Sequence, residues 1–86
     1  MTYWHDDMSS RSLGLIFRVA SKAGIDIVDD DYGRDRKLAE ALVPLLRQRA
    51  ADMTTAGKAV EIIERYVKNA DRIERWLGAQ PAEDDH

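Results

Sequence analysis

The sequence predicts an all-α protein, a small three-helix bundle. Three segments repeat apolar residues at alternating spacings of three and four, which is the period of one helix face. Residues that commonly begin or end helices stand at the boundaries of these segments. With 86 residues, 44% of them hydrophobic, the chain can form one modest core but not two. We therefore expect a lead segment over residues 1–9, a helical domain over 10–78 and an acidic, disordered tail over 79–86.

The first helix is predicted over residues 10–23. Its apolar face is formed by Leu13, Ile16, Phe17 and Ala20. Ser9 or Ser10 is a suitable N-cap, and Gly24 stands where a helix often ends in a left-handed residue. After it, Ile25, Ile27 and Val28 are expected to pack against one end of the bundle.

The second helix is predicted over residues 34–52, with Asp31 or Asp35 as its N-cap. Its apolar face is formed by Leu38, Ala41, Leu42, Leu45 and Leu46. Pro44 lies inside this segment, where proline removes a backbone hydrogen bond and clashes with the preceding turn. We expect the helix either to kink at Pro44 or to break into two near Val43.

The third helix is predicted over residues 55–77, with Thr54 or Thr55 as N-cap and Gly78 and Pro81 ending it. Its apolar residues form two neighbouring stripes, which suggests that a second copy of the chain covers one of them. The candidate self-association residues are Val60, Ile63, Val67, Ala70 and Leu77. Alternatively, the first and second helices each cover one stripe within a monomer.

Charge is distributed unevenly along the chain. There are 13 Lys and Arg residues and 16 Asp and Glu residues, but the acidic excess falls in residues 1–8, 25–33 and 79–86. The predicted helices are therefore basic, which keeps nucleic-acid binding as one hypothesis. Five residues around the turn between the second and third helices match the layout of a helix-turn-helix. These nucleic-acid candidates are Arg47, Arg49, Thr54, Thr55 and Lys58.

The residue types needed for catalysis or metal binding are scarce. The chain has no cysteine, which excludes disulfides and thiolate zinc sites and favours a reducing cytoplasm. Its two histidines, His5 and His86, lie in the lead segment and the tail, and we expect both to be solvated. The aspartates at 26, 29, 30 and 31 do not match the spacing of a calcium-binding loop. We predict no enzyme activity, no metal, no cofactor, no small-molecule substrate and no membrane-spanning segment.

These observations favour a non-enzymatic protein-protein interaction module, a dimeric regulator, adaptor or inhibitor. Its candidate partner-binding residues are Tyr3, Trp4, Asp29, Asp30 and Asp31. The two aromatic residues either fold back onto the bundle, or a dimer mate, or act as binding anchors. One alternative is a dimeric helix-turn-helix DNA-binding regulator. Another is a phage- or plasmid-type inhibitor that meets a host nucleic-acid-processing complex through its acidic loop and tails.

Overall fold

The protein folds into three α-helices. The computed structural model describes residues 3–6, 8–27 and 32–79. Helix α1 spans Ser10–Lys22, α2 spans Arg36–Thr55 and α3 spans Val60–Ala79, and a short 3-10 turn covers Tyr32–Arg34. No strand occurs in these ranges, so the predicted all-α three-helix fold is confirmed. None of the three helices is long and apolar enough to cross a membrane.

Helix α1 begins and ends as the sequence predicts. The Ser9 hydroxyl oxygen accepts a hydrogen bond from the Ser12 backbone N–H at 3.2 Å, which makes Ser9 the N-cap. At the other end, Gly24 has φ of +80°, and its N–H donates to the Ser21 carbonyl at 3.0 Å. The Ile25 N–H donates to the Ala20 carbonyl at 2.9 Å. This pair of bonds is the Schellman motif, and it turns the half-buried Ile25 back onto the core.

Helix α2 runs without interruption through Pro44, which excludes the break near Val43, one of the two alternatives for this residue. Asp35 is the N-cap, with its Oδ1 accepting from the Leu38 N–H at 3.1 Å. Pro44 lies on the exposed face of α2. The helix on either side of it is held by residues buried against the core, and this packing offsets the local cost of proline. Its buried residues are Leu38, Ala39, Leu42, Val43, Leu46 and Ala50.

The boundary between α2 and α3 lies later in the chain than predicted. Thr54 and Thr55 end α2 and do not cap α3. Gly57, just beyond the C-cap residue Ala56, has φ of +75°, and its N–H donates to the Thr54 carbonyl at 3.1 Å. The Lys58 N–H donates to the Met53 carbonyl at 2.9 Å, completing a second Schellman motif. At the far end, Gly78 was expected to stop α3 but lies within its last turn.

Helices α2 and α3 form an antiparallel hairpin. Near the start of α2, Arg36 Nη1 donates to the Leu77 carbonyl oxygen near the end of α3, at 3.5 Å. Farther along, Arg47 of α2 contacts Asp71 of α3. Helix α1 packs against both helices. The largest fully buried side chains are Trp4, Ile16, Leu42, Leu46 and Ile73.

The described part of the lead segment is fixed to the bundle through Trp4. The Trp4 side chain is only 1% exposed. Its backbone N–H donates to the Gly33 carbonyl at 2.9 Å, and its indole Nε1 donates to the Tyr32 carbonyl at 3.1 Å. Of the two alternatives for this residue, packing onto the chain's own core is therefore the one observed.

Candidate functional site

The end of the hairpin that joins α2 to α3 is uncovered. We define the hairpin tip as residues 51–65, which include the last turn of α2, the connecting turn and the first turns of α3. No residue in this range is buried, and only Met53 and Ile63 are half-buried. The rest of both helices carries buried residues at helical spacing. The hairpin tip is therefore a part of the described fold that the chain's own core does not cover.

The length of α1 explains why the tip is uncovered. At 1.5 Å per residue, the 13 residues of α1 span about 20 Å, whereas the 20 residues of α2 or α3 span about 30 Å. The buried residues of α2 end at Ala50, and those of α3 begin at Tyr66. Helix α1 and Trp4 thus complete the core at the opposite end of the hairpin, and the tip extends beyond it.

Apolar side chains are concentrated on the hairpin tip. Val60 is 64% exposed and Ile62 is 40% exposed. Ala56 and Ala59 are exposed beside them, and Ile63 is half-buried. Val60 and Ile63 are three residues apart and share one side of α3, whereas Ile62, two residues from Val60, lies on another side of the helix. The tip therefore exposes apolar side chains on more than one side of α3.

The five predicted self-association residues are divided between the tip and the core. Val60 and Ile63 lie in the hairpin tip. Val67 and Leu77 are half-buried against the chain's own core, and Ala70 is fully buried there. Beyond the tip, one chain therefore covers much of the apolar surface of α3 itself. Ile62 was not among the candidates, because periodicity alone does not show which stripe the other helices leave uncovered.

Of the predicted partner-binding residues, Trp4 and Tyr3 can be located. Trp4 is buried and offers no surface to a partner. Tyr3 is half-buried, and the Arg34 guanidinium carbon lies 5.5 Å from the centre of its ring, a cation–π distance. The other three candidates, Asp29, Asp30 and Asp31, lie outside the described residues, as does Val28 in the preceding link.

His5 is not a solvated residue of the lead segment, so that prediction is wrong. Its ring centre lies 4.7 Å from that of Tyr32 and 5.2 Å from that of Tyr3, and the residue is half-buried. The buried Trp4 draws its neighbour into this aromatic cluster. His86 lies outside the described residues. Within the described ranges, no three His, Asp or Glu side chains are grouped to hold a metal ion.

The predicted nucleic-acid residue Arg47 is engaged in an ion pair within the chain. Its Nη2 lies 3.0 Å from Asp71 Oδ1 and also contacts Glu74 Oε1. Hydrogen bonds to these carboxylates, Asp71 first and Glu74 second, raise the pKa of Arg47 above its already high ordinary value. The positive charge of Arg47 is thus compensated by the carboxylates of Asp71 and Glu74 on α3.

The other four nucleic-acid candidates do not form one basic surface. Arg49 is half-buried, and its Nε has no hydrogen-bond partner among the described residues. The Thr54 hydroxyl donates to the Ala50 carbonyl at 2.8 Å, within its own helix. Thr55 and Lys58 are exposed at the hairpin tip. Of the three basic candidates, only Lys58 therefore combines full exposure with a position at the turn.

No family model, curated protein or solved structure matches this chain.

Proposed function

We propose that this protein is a non-enzymatic protein-binding module whose docking surface is the hairpin tip. The observation that carries the proposal is the run of 15 residues, 51–65, in which none is buried although Val60 and Ile62 are large and apolar. In a regulator, adaptor or inhibitor, a partner protein would pack against these exposed apolar side chains and bury them. The absence of cysteine supports action in a reducing cytoplasm.

A second copy of the chain is the occupant that this surface fits best. The tip carries Glu61 and Glu64 together with Lys58 and Arg65 around its apolar residues. In a two-fold dimer the same patch meets itself, so a patch with both signs of charge can pair acid with base across the axis. The small core of one chain would gain buried apolar area from this contact.

Light scattering coupled to size-exclusion chromatography tests the proposal. We expect a dimer that dissociates on dilution, and a monomer for the double variant Val60→Asp and Ile62→Glu. Both substitutions place an acid in the first turn of α3, where the helix dipole favours it, so the fold of the monomer is retained. Lys37→Glu is the matched control, because it places an acid in the first turn of α2, away from the tip.

Two results would contradict the dimer. The first is a strict monomer at high micromolar concentration. The second is a dimer that the double variant leaves intact. Recovery of a different protein from a host lysate by the wild-type chain, but not by the double variant, would assign the tip to a heterologous partner.

The two alternative functions have weaker support. A dimeric helix-turn-helix regulator needs exposed basic residues, but Arg47 is compensated by α3 and Arg49 is half-buried. Salt-dependent retardation of duplex DNA, with a slope reduced by about one unit in Arg49→Ala, would favour it. An inhibitor that acts through its acidic loop depends on residues 29–31, which the structure does not describe.

A further inference from the structure

Arg49 stands on the core-facing side of α2. It lies seven residues after Leu42, which is fully buried, and four residues before the half-buried Met53, so the three residues share one side of the helix. Leu45, four residues before Arg49, packs against the core as well. A charged side chain thus occupies a position at which the helical period predicts an apolar one.

The guanidinium group of Arg49 is unpaired within the described ranges. Its Nε is closed to solvent and has no hydrogen-bond partner there. The two Nη nitrogens form no hydrogen bond or ion pair there either, and they are not closed to solvent. Partial burial costs a charge some of its hydration, and a hydrogen-bonded carboxylate offsets that cost. The accessible Nη end of Arg49 is therefore suited to bind a carboxylate from another chain.

Helix α1 covers the hairpin only as far as the level of Arg49. Ser9, the N-cap of α1, lines a groove together with Asp71 of α3. Asp71 pairs with Arg47 across the hairpin, and Arg49 lies two residues nearer the tip. The turns of α2 that follow Ala50 contain no buried residue. The side of α2 that begins at Arg49 is therefore open where the hairpin extends beyond α1.

This open side of α2 carries charges of both signs around apolar residues. Arg49, Asp52, Met53 and Ala56 are spaced at i, i+3, i+4 and i+7, which places them on one side of the helix. Asp52 and Ala56 are exposed, and Met53 is half-buried. Asp52 Oδ1 accepts from Gln48 Nε2 at 2.9 Å, which leaves the second carboxylate oxygen of Asp52 for another donor.

Arg49 and Asp52 do not pair with each other within one chain. The favourable order along a helix places the acid before the base, and here the base comes first. A two-fold axis beside this side of α2 brings the second copy's Asp52 to Arg49, and the second copy's Arg49 to Asp52. We propose that Arg49 and Asp52 form two reciprocal ion pairs across the axis of a dimer, with Met53 and Ala56 packed between them.

This inference rests on the dimer proposed above and adds the residues that determine how the two copies meet. Apolar side chains attract one another without direction, whereas two reciprocal charge pairs are satisfied at one register only. Because residue 49 of each copy faces residue 52 of the other, the two α2 helices run antiparallel. The pairs therefore give the contact its orientation and its preference for a second copy of this chain.

Arg49→Met tests the charge while keeping an unbranched side chain in the apolar row. At a concentration where the chain is monomeric, the thermal midpoint should stay the same or rise, because an unpaired half-buried charge is removed. The dissociation constant of the dimer, measured by analytical ultracentrifugation, should rise about a hundredfold, or about tenfold for each of the two pairs. Arg18→Met is the matched control, because it removes an exposed charge from α1 and should leave the dissociation constant unchanged.

A mixing experiment tests whether the two residues contact each other. Arg49→Glu and Asp52→Arg each place like charges across the axis, so each variant alone should be monomeric where the wild type is dimeric. Mixed together they restore two opposite-charge pairs and should form a heterodimer, detected by native mass spectrometry. Both variants keep a negative net charge, so attraction by net charge does not explain a heterodimer. Circular dichroism of each variant checks that the helices are retained.

The outcomes separate this inference from the proposed dimer. A wild-type chain that is strictly monomeric overturns both. A dimer that Val60→Asp with Ile62→Glu abolishes, but that Arg49→Met and Arg49→Glu leave intact, overturns the reciprocal pairs alone. The absence of a heterodimer when the two single-charge variants are mixed also overturns the reciprocal pairs. Dimers of wild type, monomers of each charge variant and a heterodimer of the mixture together support them.

Discussion

The backbone N–H of Trp4 donates to the carbonyl oxygen of Gly33 at 2.9 Å, joining the lead segment to the turn that precedes α2. The bond brings the Trp4 indole into the core, where it is 1% exposed. It also brings the rings of His5 and Tyr3 over the α-carbon of Gly33. A side chain at residue 33 would therefore displace the lead segment.

Gly33→Ala is predicted to destabilise the fold by about 1–3 kcal/mol, the usual cost of forcing extra volume into a packed site. A Cβ at this position would overlap His5 Cδ2 and would lie 2.6 Å from Tyr3 Cδ2. Both rings must shift, which loosens the Trp4–Gly33 bond. Urea unfolding measures the loss, and the indole N–H resonance of Trp4 reports whether its bond to Tyr32 is kept.

Gly14→Ala is the matched control for this substitution. Gly14 lies within α1, and a Cβ there would meet nothing within 4 Å. Alanine should stabilise the helix by about 0.5–1 kcal/mol, because it loses less backbone entropy than glycine on folding. An equal effect of the two substitutions would show that the rings over Gly33 move aside without cost.

The fold class could be predicted because each helix repeats its apolar residues at the helical period. The boundary between α2 and α3 was missed for a local reason. Thr54 and Thr55 are good N-cap residues, but Gly57 two positions later ends a helix equally well. Only the packing of α2 decides between them. The burial of Trp4 is a tertiary contact with residues nearly thirty positions away, and no local pattern encodes it.

Pro44→Ala is predicted to stabilise the protein by about 1–3 kcal/mol. Proline inside a helix lacks the N–H that would bond to the carbonyl of Glu40, and alanine restores that donor. Pro44 is exposed, so the substitution removes no core volume. The thermal midpoint should rise by several degrees for each kcal/mol in a chain of this length. A lower midpoint would mean that α2 needs a bend at Pro44 to pack against α1 and α3.

Arg47→Ala tests whether this residue stabilises the hairpin. We expect a loss of about 0.2–1 kcal/mol at low salt, because Arg47 is paired with Asp71 and Glu74 on an exposed surface. The loss should shrink in 1 M salt, where screening is nearly complete over a few ångströms. Urea unfolding at the two salt concentrations measures it. If Arg47 served only to bind nucleic acid, Arg47→Ala would leave the free energy of unfolding unchanged at both salt concentrations.

The stabilising contribution of Arg47 is not expected to change with pH between about 6 and 9. Its pKa is raised further by the carboxylates, so the guanidinium keeps its proton in this range in both the folded and the unfolded chain. A contribution from a raised pKa is present at lower pH and is lost only as the pH rises through the folded value. That loss falls in strongly alkaline solution. A change in the effect of Arg47→Ala between pH 6 and 9 would contradict this assignment.

The hairpin tip was foreseen in part. Val60 and Ile63 were identified from the apolar stripes of α3, whereas Val67 and Ala70, from the same stripe, pack inside the chain. Both outcomes follow from the same periodicity. What separates them is the short length of α1, which covers one end of the hairpin and not the other. Which end of the hairpin α1 covers depends on how the three helices align, and the apolar pattern of one helix cannot predict that alignment.

Ala59→Asp is predicted to stabilise α3 by about 1 kcal/mol, the usual gain of an N-cap side chain over alanine. Ala59 immediately precedes the helix, and its carbonyl accepts from the Ile62 and Ile63 N–H groups at 3.1 Å. Its methyl group offers no acceptor to the N–H groups of the first turn, whereas a carboxylate does and also favours the helix dipole. Ala59→Asn gives the capping bond without the charge and serves as the control.

Thermal unfolding of both variants at several protein concentrations separates two effects. A gain that is independent of concentration is capping within the chain. A loss that appears only at high concentration would show that residue 59 is covered when the hairpin tip pairs with a second copy.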